Sequence, residues 1–177
     1  MTPGRWFIVN DVFVCAPPKC GGTALYRAAL GIGKEVPDRH VFSTAFNRTE
    51  FFTPDEAVAS GRKALLAVRD PVSRFGSLWR DKCRDGDENM PNLAGLSPND
   101  LMDLISGSPD ANNHWMPQSV HYREGAEVVD YRELLGRLRL HAVTANSTQT
   151  KPSDPGLPVQ RILAHYRADV ELISRLA

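Results

Sequence analysis

The sequence predicts an α/β fold, a three-layer sandwich on a mainly parallel sheet. Two observations carry that reading. Short, apolar, β-branched runs alternate with stretches that have helical composition and period, which is the pattern of successive βαβ units. Two of those runs also end abruptly at strong helix-start signals, as strand-to-helix turns do.

Taken in order, residues 11–16 are apolar and β-branched and stop at Pro17-Pro18, so they read as a buried strand. Residues 23–30 are good helix formers with Gly31 at the expected stop. Residues 63–68 (KALLAV) read as a second buried strand. Residues 71–83 read as a helix. Asp70 is a suitable N-cap and Pro71 suits the first helical position. The proline also keeps Asp70 out of the helical region, as an N-cap requires. Val72, Phe75 and Trp79 form that helix's apolar stripe. The polar middle, 85–109, holds one helix at 98–105. Residues 127–129 and 140–144 are short strand candidates. At the end, Val159, Ile162, Leu163, Tyr166, Val170 and Ile173 fall on one face of a single amphipathic helix.

The 177 residues fit one domain, 1–177. Lysine plus arginine and aspartate plus glutamate both number 21. A chain of zero formal net charge lacks the basic excess of a nucleic-acid binder, so any anion site must be built locally. Cys15, Cys20 and Cys83 form no disulfide framework, and without a CxxC pair a structural zinc site is not expected. Residues 1–14 carry charges and no long apolar run, so they read as neither signal peptide nor membrane span. A cytoplasmic setting is the expectation; oligomeric state is not legible.

Two constellations carry chemistry. The first, Pro17-Pro18-Lys19-Cys20-Gly21-Gly22-Thr23, joins the first strand to the first helix. A helix N-terminus there offers free N–H groups and a positive dipole end. Two glycines allow close backbone approach to an anion. Thr23 adds a hydroxyl and Lys19 a point charge. This is not a Walker A loop, which needs its lysine after the second glycine. The alternative is an ordinary tight turn. The second constellation is Arg69-Asp70-Pro71, then Arg74 and Ser77. Arg69 ends a buried strand, at the edge where α/β sheets collect ligands. With Ser77, two turns into the helix, it can converge on a second phosphate. Arg74 and Arg80 read as a solvated face.

Together these two segments resemble the sulfotransferases that use 3′-phosphoadenosine 5′-phosphosulfate (PAPS), most closely the carbohydrate sulfotransferase branch. The resemblance rests on Pro18-Lys19-Cys20-Gly21-Gly22-Thr23 and on Arg69-Asp70-Pro71 through Arg80, about fifty residues on. Weaker likenesses are His114-Trp115-Met116-Pro117-Gln118-Ser119, Val129 to Leu135, Ala145-Asn146-Ser147-Thr148 with Lys151, and Tyr166 to Glu171. The chain is short for that group, and Ala24 stands where many relatives carry a hydroxyl.

The resemblance implies a P-loop-like sulfotransferase fold and no metal. It places Lys19, Cys20, Gly21, Gly22, Thr23 and Ala24 on the 5′-phosphosulfate and Arg69 and Ser77 on the 3′-phosphate. The acceptor it implies is a hydroxyl, on a carbohydrate, and the product nucleotide is 3′,5′-ADP. Lys19 would neutralise charge on the leaving oxygen. His40, after the first helix, leads as the base that takes the hydroxyl proton. His114 is the runner-up, on the acceptor side or structural, and Glu35 and Asp38 stay open. Two alternatives remain: a P-loop phosphotransferase, or a nucleotide-binding domain without catalysis.

Overall fold

The structure, a computed structural model, describes residues 5–33, 35–109, 111–140 and 156–176, without the side chains of residues 38, 39 and 42. Its centre is a four-stranded sheet in the order β1 (Phe7–Val9), β2 (Val12–Cys15), β3 (Ala64–Val68), β4 (Glu127–Asp130). β2, β3 and β4 run parallel, and β1 pairs antiparallel with β2. The expected strands at 11–16, 63–68 and 127–129 are all present, with shifted ends.

β1 was not expected. It is joined to β2 by the two-residue turn Asn10-Asp11, both at positive φ (48° and 64°). Such turns match the twist of a hairpin, and Asn and Asp tolerate that backbone. Asn10 also donates its side-chain amide to the Leu138 carbonyl at 3.0 Å.

All five residues of β3 are buried, because helices cover both faces of the sheet. One face carries Phe7, Val9, Val14, Leu65, Ala67 and Val129. It packs on α1 (Gly22–Leu30), α2 (Asp38–Phe46) and α6 (Leu134–Arg137) through Leu25, Tyr26, Val41, Ala45 and Leu134. The other face carries Phe13, Cys15, Ala64, Leu66 and Val68, against Ala57 of α3 (Pro54–Ala59) and Leu172 of α8 (Arg167–Ile173). This alternation along each strand gives the expected three layers.

A separate apolar cluster holds α4 (Pro71–Trp79) against α5 (Pro98–Gly107) and α7 (Val159–His165). Phe75, Leu78, Leu101, Met102, Ile105, Trp115, Ile162 and Tyr166 make it up, with Val72 and Trp79 packed at its margin. Asp70 caps α4 as expected, accepting from the Ser73 N–H at 2.8 Å. α4 stops sooner than 83, however. Residues Arg80–Arg84 form a π-turn, closed by Asp85 N–H on the Arg80 carbonyl at 2.8 Å. Such wider turns re-aim the side chains they carry.

The single C-terminal helix is corrected to two, α7 and α8, broken at Tyr166 (φ −99°, ψ 32°). The break turns Asp169 and Leu172 inward, whereas Val159 and Val170 of the expected face are exposed. The reason is polar. The fully buried Asp169 carboxylate accepts from the Gln118 and Ser119 N–H groups at 2.9 and 2.8 Å, which a continuous helix would point elsewhere. The expected strand at 140–144 lies, beyond Leu140, outside the described residues, as do Ala145 to Thr148 and Lys151. No helix among the described residues is long and apolar enough to cross a membrane.

Candidate active site

The three parallel strands deliver their following segments to one edge of the sheet. β2 leads into the loop 16–21, β3 into Arg69, and β4 into Tyr131. The loop turns on two left-handed residues, Lys19 (φ 68°) and Gly21 (φ 81°). A left-handed lysine costs roughly 1–2 kcal/mol, and such strain collects at functional loops. Gly21 is the N-cap of α1 and gives that helix no side-chain cap. The first intrahelical bond is Leu25 N–H to the Gly21 carbonyl, 3.0 Å. The N–H groups of the first turn, at Gly22, Thr23 and Ala24, therefore lie at an uncapped positive helix end. The Cys20 N–H is bonded to the Pro17 carbonyl at 3.0 Å.

Tyr131 packs over Gly21. A Cβ there would meet the Tyr131 ring at 3.5 Å. The same ring lies 5.0 Å beneath the Arg69 guanidinium, within cation–π range. Arg69 donates through Nη1 to the Lys19 carbonyl at 3.2 Å. Its Nε is buried without a hydrogen-bond partner. A buried, unpartnered guanidinium N–H beside an uncapped helix end fits an anionic ligand.

The chain belongs to the sulfotransferase family. The family's sequence profile matches residues 9–147, which takes in both constellations and all of β2 to β4. No curated protein and no solved structure matches the chain. Membership makes this a sulfotransferase enzyme rather than a P-loop phosphotransferase.

In this sulfotransferase, the segment His114 to Gln118 is the frame behind the loop. Gln118 is fully buried. Its side chain accepts from the Arg69 N–H and the Cys20 thiol and donates to the Arg69 carbonyl and to Asp169. Tyr166 donates its hydroxyl to the Trp115 carbonyl at 2.7 Å. The late Tyr166–Asp169 pair thus braces the segment that braces Arg69.

Arg74 corrects the solvated-face expectation. It is 3% exposed and clamps backbone to backbone. Nε donates to the Pro18 carbonyl at 3.1 Å, and Nη2 to those of His114 and Met116 at 3.2 and 2.9 Å. Five fixed donors in a planar fork suit that task. Arg80 is half-buried. Burial, and then the charges of Arg69 and Arg84, push its pKa down. Ser77 is half-buried on α4.

Two acidic–basic neighbours escaped the sequence reading. Lys19 Nζ contacts the Asp81 carboxylate at 3.2 Å. Lys82 reaches both Asp81, at 3.1 Å, and Asp87. A usable signal existed: Arg74, Ser77 and Asp81 recur at helical spacing opposite the Val72, Phe75, Trp79 stripe.

Burial holds the Lys19 ammonium below its ordinary pKa, Asp81 opposes that, and Lys82 and Arg69 reinforce it. His114 is pushed down to about 4, by burial first and then by Lys82 and Lys19. It is a neutral imidazole near pH 7, with Nδ1 buried and unpartnered. His40 is exposed in the first turn of α2, the helix that packs beside α1. Glu35 is exposed just before that helix. The Cys20 thiol is fully buried and pushed up to about 11, chiefly by burial.

Proposed function

We propose that this sulfotransferase transfers the sulfuryl group of PAPS to an acceptor hydroxyl, and that the acceptor is a carbohydrate. The observation that carries the donor assignment is Arg69. Its guanidinium, with an unpartnered Nε, donates to the carbonyl of Lys19 in the loop that leads to the uncapped start of α1. Two anion-seeking groups at one sheet edge suit a nucleotide phosphorylated at both ends. The carbohydrate acceptor rests on the resemblance of the two phosphate segments alone.

Bound there, PAPS supplies a sulfuryl group and a good leaving group, 3′,5′-ADP. The first-turn N–H groups of Gly22, Thr23 and Ala24, with the loop at Gly21, hold the 5′-phosphate. Arg69, with Ser77, holds the 3′-phosphate. Lys19 stabilises the charge that develops on the bridging oxygen as its bond to sulfur breaks. His40 accepts the proton as the acceptor oxygen bonds to sulfur, and His114 faces the acceptor. No metal is needed for this displacement. The setting we propose is a reducing cytoplasm, in keeping with three unpaired, buried cysteines.

The test is turnover of radiolabelled PAPS over a panel of sugars, steroids and simple alcohols, with a chelator present. Transfer to sugars is expected, with Lys19→Ala and His40→Ala each lowering kcat by about a hundredfold or more. Transfer confined to small alcohols would overturn the carbohydrate assignment. Activity unaffected by His40→Ala would remove His40 as the base.

A further inference from the structure

The π-turn that ends α4 carries its own pair of charges into the loop. Asp81 sits between two ammoniums, Lys19 at 3.2 Å and Lys82 at 3.1 Å. The two lysines are not equivalent. Lys82 is 8% exposed and has a second carboxylate, Asp87. Among the described residues, Asp81 is the one carboxylate in contact with Lys19. Every other charged group that registers on Lys19 is a cation: Lys82 from the same turn and Arg69 from the end of β3. His114, whose pKa is lowered to about 4 by burial first and then by Lys82 and Lys19, adds no positive charge near pH 7.

We propose that Asp81 is a positioning residue that fixes the ammonium of Lys19 at the mouth of the loop and offsets its cationic neighbours until the anionic donor takes over that task. This rests on the donor reading given above for the purpose of the charge, though not for the contact itself. Partial burial and the neighbouring cations both disfavour the charged form of Lys19, and Asp81 opposes them. The turn's geometry answers that problem. Asp81 reaches Lys19 from the widened turn Arg80–Arg84, and Asp87 frees Asp81 from being the sole partner of Lys82. The site then begins its cycle with Lys19 charged, ordered and shielded from its cationic neighbours. When a phosphosulfate arrives, the ammonium exchanges one anion for another without losing its proton.

The chain has five lysines, at positions 19, 34, 63, 82 and 151, few enough to follow individually. The experiment is an NMR pH titration of the full chain carrying 13C-labelled lysine, with Lys19→Arg assigning the Lys19 signal. In Asp81→Asn the Lys19 signal is expected to titrate about one pH unit or more lower than in wild type. Lys82, still held by Asp87, should move less. Asp87→Asn should reverse that order. An unmoved Lys19 in Asp81→Asn would overturn the proposal. If Asp81→Asn does not fold, Asp81→Ser removes the same charge and is read in the same way. In turnover, the basic limb of the pH profile should fall with Lys19 in Asp81→Asn. It should not fall in the double variant with Lys19→Arg, whose guanidinium stays charged. The titration needs no nucleotide. A shifted Lys19 without 3′,5′-ADP binding therefore keeps Asp81 in its role and rejects the donor reading. Tight nucleotide binding with an unshifted Lys19 does the reverse.

Discussion

Gln118 brackets the backbone of Arg69. Its side-chain oxygen accepts from the Arg69 N–H at 2.8 Å, and its side-chain nitrogen donates to the Arg69 carbonyl at 2.8 Å. A primary amide presents a donor and an acceptor side by side, so it continues the hydrogen bonding of β3 past its last residue, Val68. The arginine is thereby fixed at the strand end while its guanidinium stays directed to the loop. Gln118→Leu fills much the same volume but makes neither bond. It should destabilise the protein by about 2–4 kcal/mol in urea unfolding, because buried groups of Arg69 and Asp169 lose partners. Affinity for 3′,5′-ADP should fall with it. Wild-type stability in Gln118→Leu would show that the bracket contributes nothing.

Arg74 ties the same frame to the loop from the other side. Lysine carries the charge but cannot reach the Pro18, His114 and Met116 carbonyls together. Arg74→Lys should therefore lower the melting temperature by several degrees, on the order of 2 kcal/mol. It should also weaken nucleotide binding although Arg74 itself donates only to protein carbonyls in these contacts. An Arg74→Lys variant with wild-type stability and reduced affinity would place Arg74 on the ligand instead.

What the sequence made legible was local. Asp70-Pro71 states its cap in adjacent residues, and the glycine stop at Gly31 is a single-residue signal (φ 61°). The loop of Lys19 to Thr23 was legible because a strand, two glycines and a helix lie consecutively. What was not legible depends on partners far apart in the chain. Arg74 looks like a surface arginine until Pro18 and Met116 are brought to it, 56 and 42 residues away. The break at Tyr166 exists to turn Asp169 toward Gln118, 51 residues distant. Periodicity sees only the helix pattern around that break. β1 was missed for a different reason: three residues are too few for an alternation to register, although Asn10-Asp11 announces a tight hairpin.

Cys20 sits inside the anion loop yet is fully buried, with its thiol donating to Gln118 at 2.9 Å. Burial pushes its pKa up to about 11, so little thiolate exists near neutral pH. Labelling of Cys20 at pH 7.5 should be slow, follow global unfolding in urea, and be unchanged by nucleotide. Rapid labelling that nucleotide suppresses would make it a reactive loop thiol.

Stability should fall in mild acid. Burial holds both His114 and His121 down to about 4, against an ordinary value of 6.5. Between those values the unfolded chain binds more protons than the folded one, so stability rises with pH there. The contribution is complete above about pH 6.5 and is lost as pH falls toward 4. For His121, 3% exposed, the loss by pH 5 should be about 2 kcal/mol. Urea unfolding at pH 7.5 and pH 5 measures it, and His121→Gln should shrink the difference by about that amount, leaving the share of His114. An unchanged difference in His121→Gln would contradict the assignment.

The central claim is that the loop, Arg69 and Ser77 together read a nucleotide by phosphates at both its 5′ and 3′ positions. Calorimetric titration with 3′,5′-ADP, 5′-AMP and ATP, without magnesium, on wild type and Arg69→Ala, tests it most directly. Binding of 3′,5′-ADP at least about tenfold tighter than 5′-AMP is predicted, which corresponds to about 1.4 kcal/mol. In Arg69→Ala that advantage should vanish. Equal binding of all three nucleotides, or a 3′-phosphate preference that survives Arg69→Ala, would contradict it.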